Sequence, residues 1–162
     1  MNLINRYSKP QLFSLVALRV VIGWYFLYEG LAKLFSPNWT SYGYLMDSAG
    51  IFAPFFKELG LSGTMIQIAD NINIYGLIAI GLCLILGSFT KIASLLALAF
   101  LSMYYLSHPP LIGAQYILRP EGSYLWVDKN AVIFFAIVVL LFFPTSRLIG
   151  LDRYIYKLKE RN

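Results

Sequence analysis

The chain has 162 residues, 59% of them hydrophobic and 13% charged, with a mean hydropathy of +0.66. A soluble domain is closer to a quarter charged, and its apolar residues form stripes because half of each element faces water, so this composition excludes one. The single cysteine, Cys83, lies inside an apolar run, which excludes an internal disulfide framework and CysxxCys dithiol chemistry.

Four apolar stretches are long enough to read as membrane helices, because about twenty helical residues cross the hydrocarbon core. They cover about residues 12–35, 72–89, 92–107 and 128–150. The first is expected to be retained, since it carries internal charges and lacks a small-residue cleavage site. Only Thr90 and Lys91 separate the second from the third, which predicts a tight antiparallel hairpin. Gly76, Gly81 and Gly87, with Ser94, Ala97 and Ala99, would let that hairpin pack closely. The uninterrupted core of the fourth, Ala131 to Phe143, spans only about 20 Å as a helix, so it is expected to continue. It can do so as a kinked helix through Pro144 to about Leu151, or backward into Tyr124, Leu125 and Trp126 as an aromatic belt. The predicted fold is an all-α bundle of four transmembrane helices in a single domain, residues 1–162.

The connection between the first two spans is long for a bundle and holds Trp39, Tyr42, Tyr44 and the run FAPFFKELG, residues 52–60. Its aromatic content argues against disorder and predicts an outer-side loop of short amphipathic helices. Arg6, Lys9, Lys91, Arg147, Arg153, Lys157, Lys159 and Arg161 fall on one side of the four spans, against Lys57, Arg119 and Lys129 on the other. Positive residues favour the cytoplasmic face, so both termini are expected there, in a multi-pass protein of the cell inner membrane. The net charge of +5 is then explained by topology and by a basic tail drawn to the lipid bilayer, without nucleic acid.

Charges inside membrane helices cost several kcal/mol and are functional candidates. At about 100° per residue, Arg19, Gly23, Phe26, Gly30 and Lys33 share one stripe of the first helix, with Glu29 about 80° away. Small residues among charges indicate a face turned to other helices, with room for backbone approach or a ligand. Glu29 and Lys33 stand four apart in the favourable order for an ion pair. Arg19 lies about 15 Å from Glu29 along the axis, with no acid in its half of any span. It either snorkels to lipid phosphates or holds an anion or a quinone carbonyl. Asp70, Asn71 and Asn73 at the start of the second span, His108 at the end of the third, and Asp128, Lys129 and Asn130 at the start of the fourth join Glu29 and Lys33 in one outer polar layer. Asp70, Asp128 and His108 also suit plain capping roles there. No HisxxHis, HisGluxxHis or phosphate-cradling glycine loop occurs, so no metal, haem or nucleotide site is expected.

The run LRVVIGWYFLYEGLAKL, residues 18–34, resembles the first-helix pattern of the DoxX and DoxD families of membrane proteins. GLCLILGSFTK at 81–91 is similar to their second-helix glycine run and turn. WVDKNAV at 126–132 and GLDRY at 150–154 resemble the start of the fourth helix and the tail of DoxD-like quinone oxidoreductase subunits. At Leu77 the chain departs from the pattern, since many relatives carry Glu a few residues before the glycine run. The resemblance implies a four-helix inner-membrane protein, in some members the quinone-reactive subunit that passes electrons from thiosulfate to quinone.

The expected function is therefore the membrane component of a quinone-linked oxidoreductase, with the quinone held between helices. Such a site needs an apolar slot, donors for the ring carbonyls and a proton path. Glu29 and His108 are the candidates for proton handling, and Arg19, Lys33, Asp128 and Lys129 for ligand binding. A membrane or outer-side partner would supply electrons, because the chain has no redox centre of its own. The alternative is a non-catalytic membrane subunit, or a small transport-like protein, that docks a partner through its outer polar layer.

Overall fold

The computed structural model describes residues 7–110, 116–117 and 125–159. Arg6, Arg119 and Arg161, assigned to sides above, and Tyr124, in the backward continuation of the fourth span, lie outside the described residues. Helix α1 runs from Lys9–Phe35, α2 from Tyr42–Met46, α3 from Ala53–Leu61, α4 from Gly63–Leu86, α5 from Thr90–Ser107, α6 from Lys129–Phe142 and α7 from Asp152–Lys159. A 3-10 turn at Thr145–Arg147 links α6 to α7. The architecture is an all-α bundle, with α1, α4, α5 and α6 alternating in direction. Of these, α1, α4 and α5 are long and apolar enough to cross a membrane, and α6 is a shorter apolar helix.

Local chemistry sets the boundaries. Ser8 and Gln11 form a reciprocal capping box at the start of α1, with Pro10 in its first turn, where a missing N–H costs nothing. Ser62 caps α4, which therefore begins at Gly63 rather than at residue 72, where the apolar run starts. Gly87 ends α4 in the left-handed conformation, φ +68°. The hairpin between α4 and α5 is tight, but its turn is Gly87, Ser88 and Phe89, and Thr90 and Lys91, expected to separate the spans, form the start of α5.

Two expectations are corrected. The fourth apolar helix does not continue as a kinked helix through Pro144. It stops at Phe142, about 21 Å long, because proline's ring blocks helix at the residue before it, and the chain turns through Thr145–Arg147. The glycines of α4 are also shared differently from the hairpin scheme. Gly81 packs against α1, where an added Cβ would sit 2.5 Å from the Leu27 backbone nitrogen. Gly23 and Gly30 answer from α1 against Ile85 and Ile78. Only Gly76 faces α5, against the Phe100 ring, and Ala99 is exposed.

The bundle is thus two close pairs, α1 with α4 and α5 with α6, joined through α4 and α5. The buried side of α1 is Arg19, Ile22, Gly23, Phe26 and Gly30, the polar-and-small stripe turned inward. Phe26, Leu77, Leu84, Ala97 and Ile137 fill the centre. Leu77 is a core residue, 1% exposed.

Candidate functional site

Polar side chains gather at both ends of this apolar centre. The larger cluster lies at the loop end, where α1 finishes, α4 starts, α5 finishes and α6 starts. It surrounds a cavity of about 500 Å³. Tyr25, Glu29 and Lys33 line it from α1, Asn73 from α4, Tyr104 and His108 from α5 and its cap, and Asp128, Lys129 and Asn130 from the start of α6. Trp39, Thr40, Ser41, Gly43 and Tyr44 close it from the connection between α1 and α4. The outer polar layer expected from the sequence is therefore one site. Asn71 is exposed, and Asp70 stands behind the wall.

Each cation in the cavity has an aromatic surface beneath it. Lys33 Nζ is 3.6 Å from Glu29 Oε2 and lies over the rings of Trp39 at 5.5 Å and Tyr104 at 5.8 Å. Lys129 Nζ lies over Tyr25 at 5.3 Å, joining the start of α6 to α1. An ammonium over a ring face is attracted by the ring quadrupole, more strongly as water is excluded. Both ammonium groups, and the rings they lie over, line the cavity.

Asp128 is buried and caps α6, accepting from the Ala131 N–H at 2.8 Å and from Asn130 Nδ2 at 3.0 Å. It thereby holds Asn130 and the first turn of α6 in place while itself lining the cavity. His108 is buried, stacks on Tyr44 at 4.0 Å and faces Tyr116 at 4.9 Å. Its Nδ1 is 3.1 Å from Ser107 Oγ, and its Nε2 faces Asp47 Oδ2 at 3.6 Å. Burial lowers the His108 pKa, and the Asp47 charge opposes that shift. Burial also raises the Tyr44 phenol, with the Asp128 charge adding to the effect, so Tyr44 stays a neutral donor, to the Tyr104 carbonyl. Two atoms of the wall, Tyr104 Oη and Asn73 Oδ1, are buried without a hydrogen bond of good geometry. Such groups accept a partner when a ligand or water brings one.

The connecting segment is pinned on both sides. Asp70 Oδ1 accepts from the Ser41 backbone N–H at 2.7 Å and from the Ser41 hydroxyl. Asp47 Oδ1 accepts from the Ile117 N–H, and the Ala49 N–H donates to the Ser107 carbonyl. The contribution of α2 and its flanks was not visible in the sequence, where Ser41, Gly43 and Tyr44 follow no helical period.

Arg19 sits at the other end of the bundle, away from this cavity. It is buried, 4% exposed, which removes the snorkelling reading. Its Nη1 donates to Thr145 Oγ1 at 3.1 Å, and its guanidinium lies against Gly87. The space beside it is about 10 Å³, room for a water at most and far too small for a quinone ring. The acid it lacked within the spans comes from outside them, since the Asp152 charge acts on it from the start of α7. Asp152 in turn accepts from the Phe89 and Thr90 N–H groups, at 2.7 and 3.2 Å, and from the Thr90 hydroxyl at 2.8 Å. The Leu151 and Asp152 N–H groups donate to the Leu86 and Gly87 carbonyls. The run 150–154 thus clasps the turn between α4 and α5 onto Arg19.

The DoxX family pattern matches residues 14–109, from the first turns of α1 to the residue after His108. The chain belongs to the DoxX family. No curated protein and no solved structure matches it. The matched stretch supplies most of the cavity, while Asp128, Lys129 and Asn130 lie beyond it. Among the described residues of this DoxX protein, no group of three or more His, Cys, Asp or Glu side chains is placed to hold a metal ion.

Proposed function

We propose that this DoxX-family protein is the membrane component of a quinone-linked oxidoreductase, and that its loop-end cavity holds the quinone ring. The observation that carries the reading is the pairing of aromatic walls with two lysine ammonium groups around one 500 Å³ space. A quinone ring is flat and apolar, with a carbonyl acceptor at each end, and it takes up two electrons and two protons when reduced. Tyr44, Tyr104 and Trp39 provide flat surfaces, Lys33 and Lys129 donate to carbonyl oxygens, and the Tyr104 hydroxyl is a further donor. Glu29, paired with Lys33, and His108, facing Asp47, are the groups at the cavity wall for proton exchange in this reading. Electrons arrive from a protein partner or a small molecule on the loop side. The basic end, with Lys9, Lys91, Arg147 and Arg153, faces the cytoplasm of the inner membrane in this reading.

The test is extraction of the purified protein with organic solvent and mass spectrometry of what is released, followed by titration with a short-chain quinone under tryptophan fluorescence. The expected result is saturable quenching, with affinity lowered about tenfold in Lys33→Gln, the loss of about one charged hydrogen bond. If no quinone is extracted and no saturable quenching occurs, the quinone reading fails and the non-catalytic alternative takes its place.

A further inference from the structure

We infer that α3 lies in the loop-side surface of the membrane, with Phe55 inserted among lipid acyl chains, and that the bilayer thereby holds the segment that closes the cavity. The inference does not depend on what the cavity binds.

It starts from α4. Met65, Ile68, Ile72 and Tyr75 are all exposed apolar residues at alternating spacings of three and four, so they form one outward stripe along the helix. That stripe reaches the first turn of α4, immediately after the Ser62 cap, so the lipid-facing surface extends to the point where α3 joins. Thr64, Gln67 and Asn71 fall on an adjacent stripe and are also exposed, which places these first turns at the boundary between lipid and water.

The sequence of α3 fits the same boundary. At about 100° per residue, Phe56 and Gly60 fall on one side, and both are buried. Gly60 is in van der Waals contact with α2, an added Cβ there lying 3.4 Å from Leu45 Cβ and Met46 Sδ. Phe55 and Leu59 fall next to that side, widening the apolar arc beyond what α2 covers, and Phe55 is 54% exposed. Lys57 and Glu58 fall on the opposite arc. Ahead of the helix, Ile51 is 92% and Phe52 48% exposed. An apolar arc too wide for its protein neighbour, with charges opposite and a lipid-facing stripe on the next helix, fits acyl chains rather than water. The Ser48 hydroxyl lies 2.7 Å from the Leu45 carbonyl in α2 and 3.5 Å from the Ala53 carbonyl at the start of α3, which ties α3 to the helix that carries Tyr44 into the cavity wall.

The experiment uses the full chain in lipid nanodiscs. Phe55→Cys and, separately, Lys57→Cys, which stand about 160° apart around α3, are introduced on a Cys83→Ser background and labelled with a nitroxide. Power-saturation spectroscopy then compares collisions with oxygen, which partitions into lipid, and with a water-soluble nickel chelate. The expected result is oxygen-dominated relaxation at position 55 and nickel-dominated relaxation at position 57. Nickel access at 55 equal to that at 57 would overturn the inference, placing α3 in water. An immobilised label at 55 shielded from both reagents would also overturn it, showing a protein partner or a second copy on this face.

Discussion

Arg19 and Thr145 are 126 positions apart in the chain and joined by a 3.1 Å hydrogen bond, from the guanidinium in α1 to the hydroxyl beyond the end of α6. That bond ties the start of the bundle to its end, with Gly87 and Gly150 packed against each other beside it. An added Cβ at Gly87 would approach Gly150 Cα to 2.8 Å and Arg19 Nη2 to 3.1 Å. The clasp needs a charged planar donor and two residues without side chains.

Replacing Arg19 therefore costs fold stability rather than ligand affinity. Arg19→Ala leaves the buried Thr145 hydroxyl without its donor and removes the positive charge that acts on Asp152, at about 1–3 kcal/mol. Arg19→Lys keeps the charge without the fork and recovers only part of it. Thermal unfolding in detergent should show a large drop for Arg19→Ala and a smaller one for Arg19→Lys. An Arg19→Ala protein as stable as the parent would remove the clasp from the account.

The α1–α4 contact gives a second expectation. Gly81→Ala drives a methyl group against the backbone of α1, where no flexible side chain can yield, so the two helices must separate. Overpacking of that kind costs about 1–3 kcal/mol. Gly43→Ala is the control, because a Cβ there meets nothing within 4 Å. Unfolding midpoints should fall for the first variant and stay within error for the second; equal midpoints would mean that α1 and α4 are not held at this distance.

Asp152 makes the clasp sensitive to acid. Burial pushes its carboxyl upward, but hydrogen bonds from Thr90, Ser146 and the Phe89 and Thr90 N–H groups outweigh that and hold it below the usual aspartate value. The stabilisation is therefore complete above the unfolded value, about pH 3.9, and is lost as pH falls through the lower folded-state value. Asp152→Asn should lower stability at neutral pH by about 1–2 kcal/mol and flatten the acid limb of the stability profile. Parallel profiles for the two proteins between about pH 5 and pH 2 would show that Asp152 contributes no pH dependence.

What the sequence revealed divides along physical lines. The inward stripe of α1 was legible because charge and glycine are conspicuous on an apolar helix and a helical period places them. The outer polar layer was legible by depth alone, so Glu29, Lys33, Asn73, His108 and Lys129 were found together before their geometry was known. Thr145, the hydrogen-bond partner of Arg19, and Asp152, whose charge acts on it, were not legible because they lie beyond the last apolar helix, and only the stop at Pro144 turns the chain back toward α1. Gly81 was assigned to the wrong neighbour because sequence adjacency favours the hairpin, whereas the close approach is to α1. Gly43 and Tyr44 belong to a short helix between spans, and Ser41 immediately precedes it, in a placement that depends on tertiary contacts no periodicity reports.

The strongest of those contacts gives the last expectation. Asp70 receives two hydrogen bonds from Ser41, one from its backbone and one from its hydroxyl, and Ser41 is buried. Asp70→Ala leaves both donors without an acceptor, at about 1–2 kcal/mol. The loss falls on the connection rather than on the helices, because α4 is capped separately by Ser62. Local opening of that segment becomes easier by the same amount, so amide hydrogen exchange over residues 41–46 should quicken about tenfold, while exchange in the middle of α1 and α4 stays as it was. Ser41→Ala, which keeps the backbone donor, should show a smaller change in the same peptides. If exchange over 41–46 is unaltered in Asp70→Ala, the segment is held by Tyr44 stacked on His108 and by the lipid contacts of α3, and the Asp70–Ser41 pair is dispensable to the cavity wall.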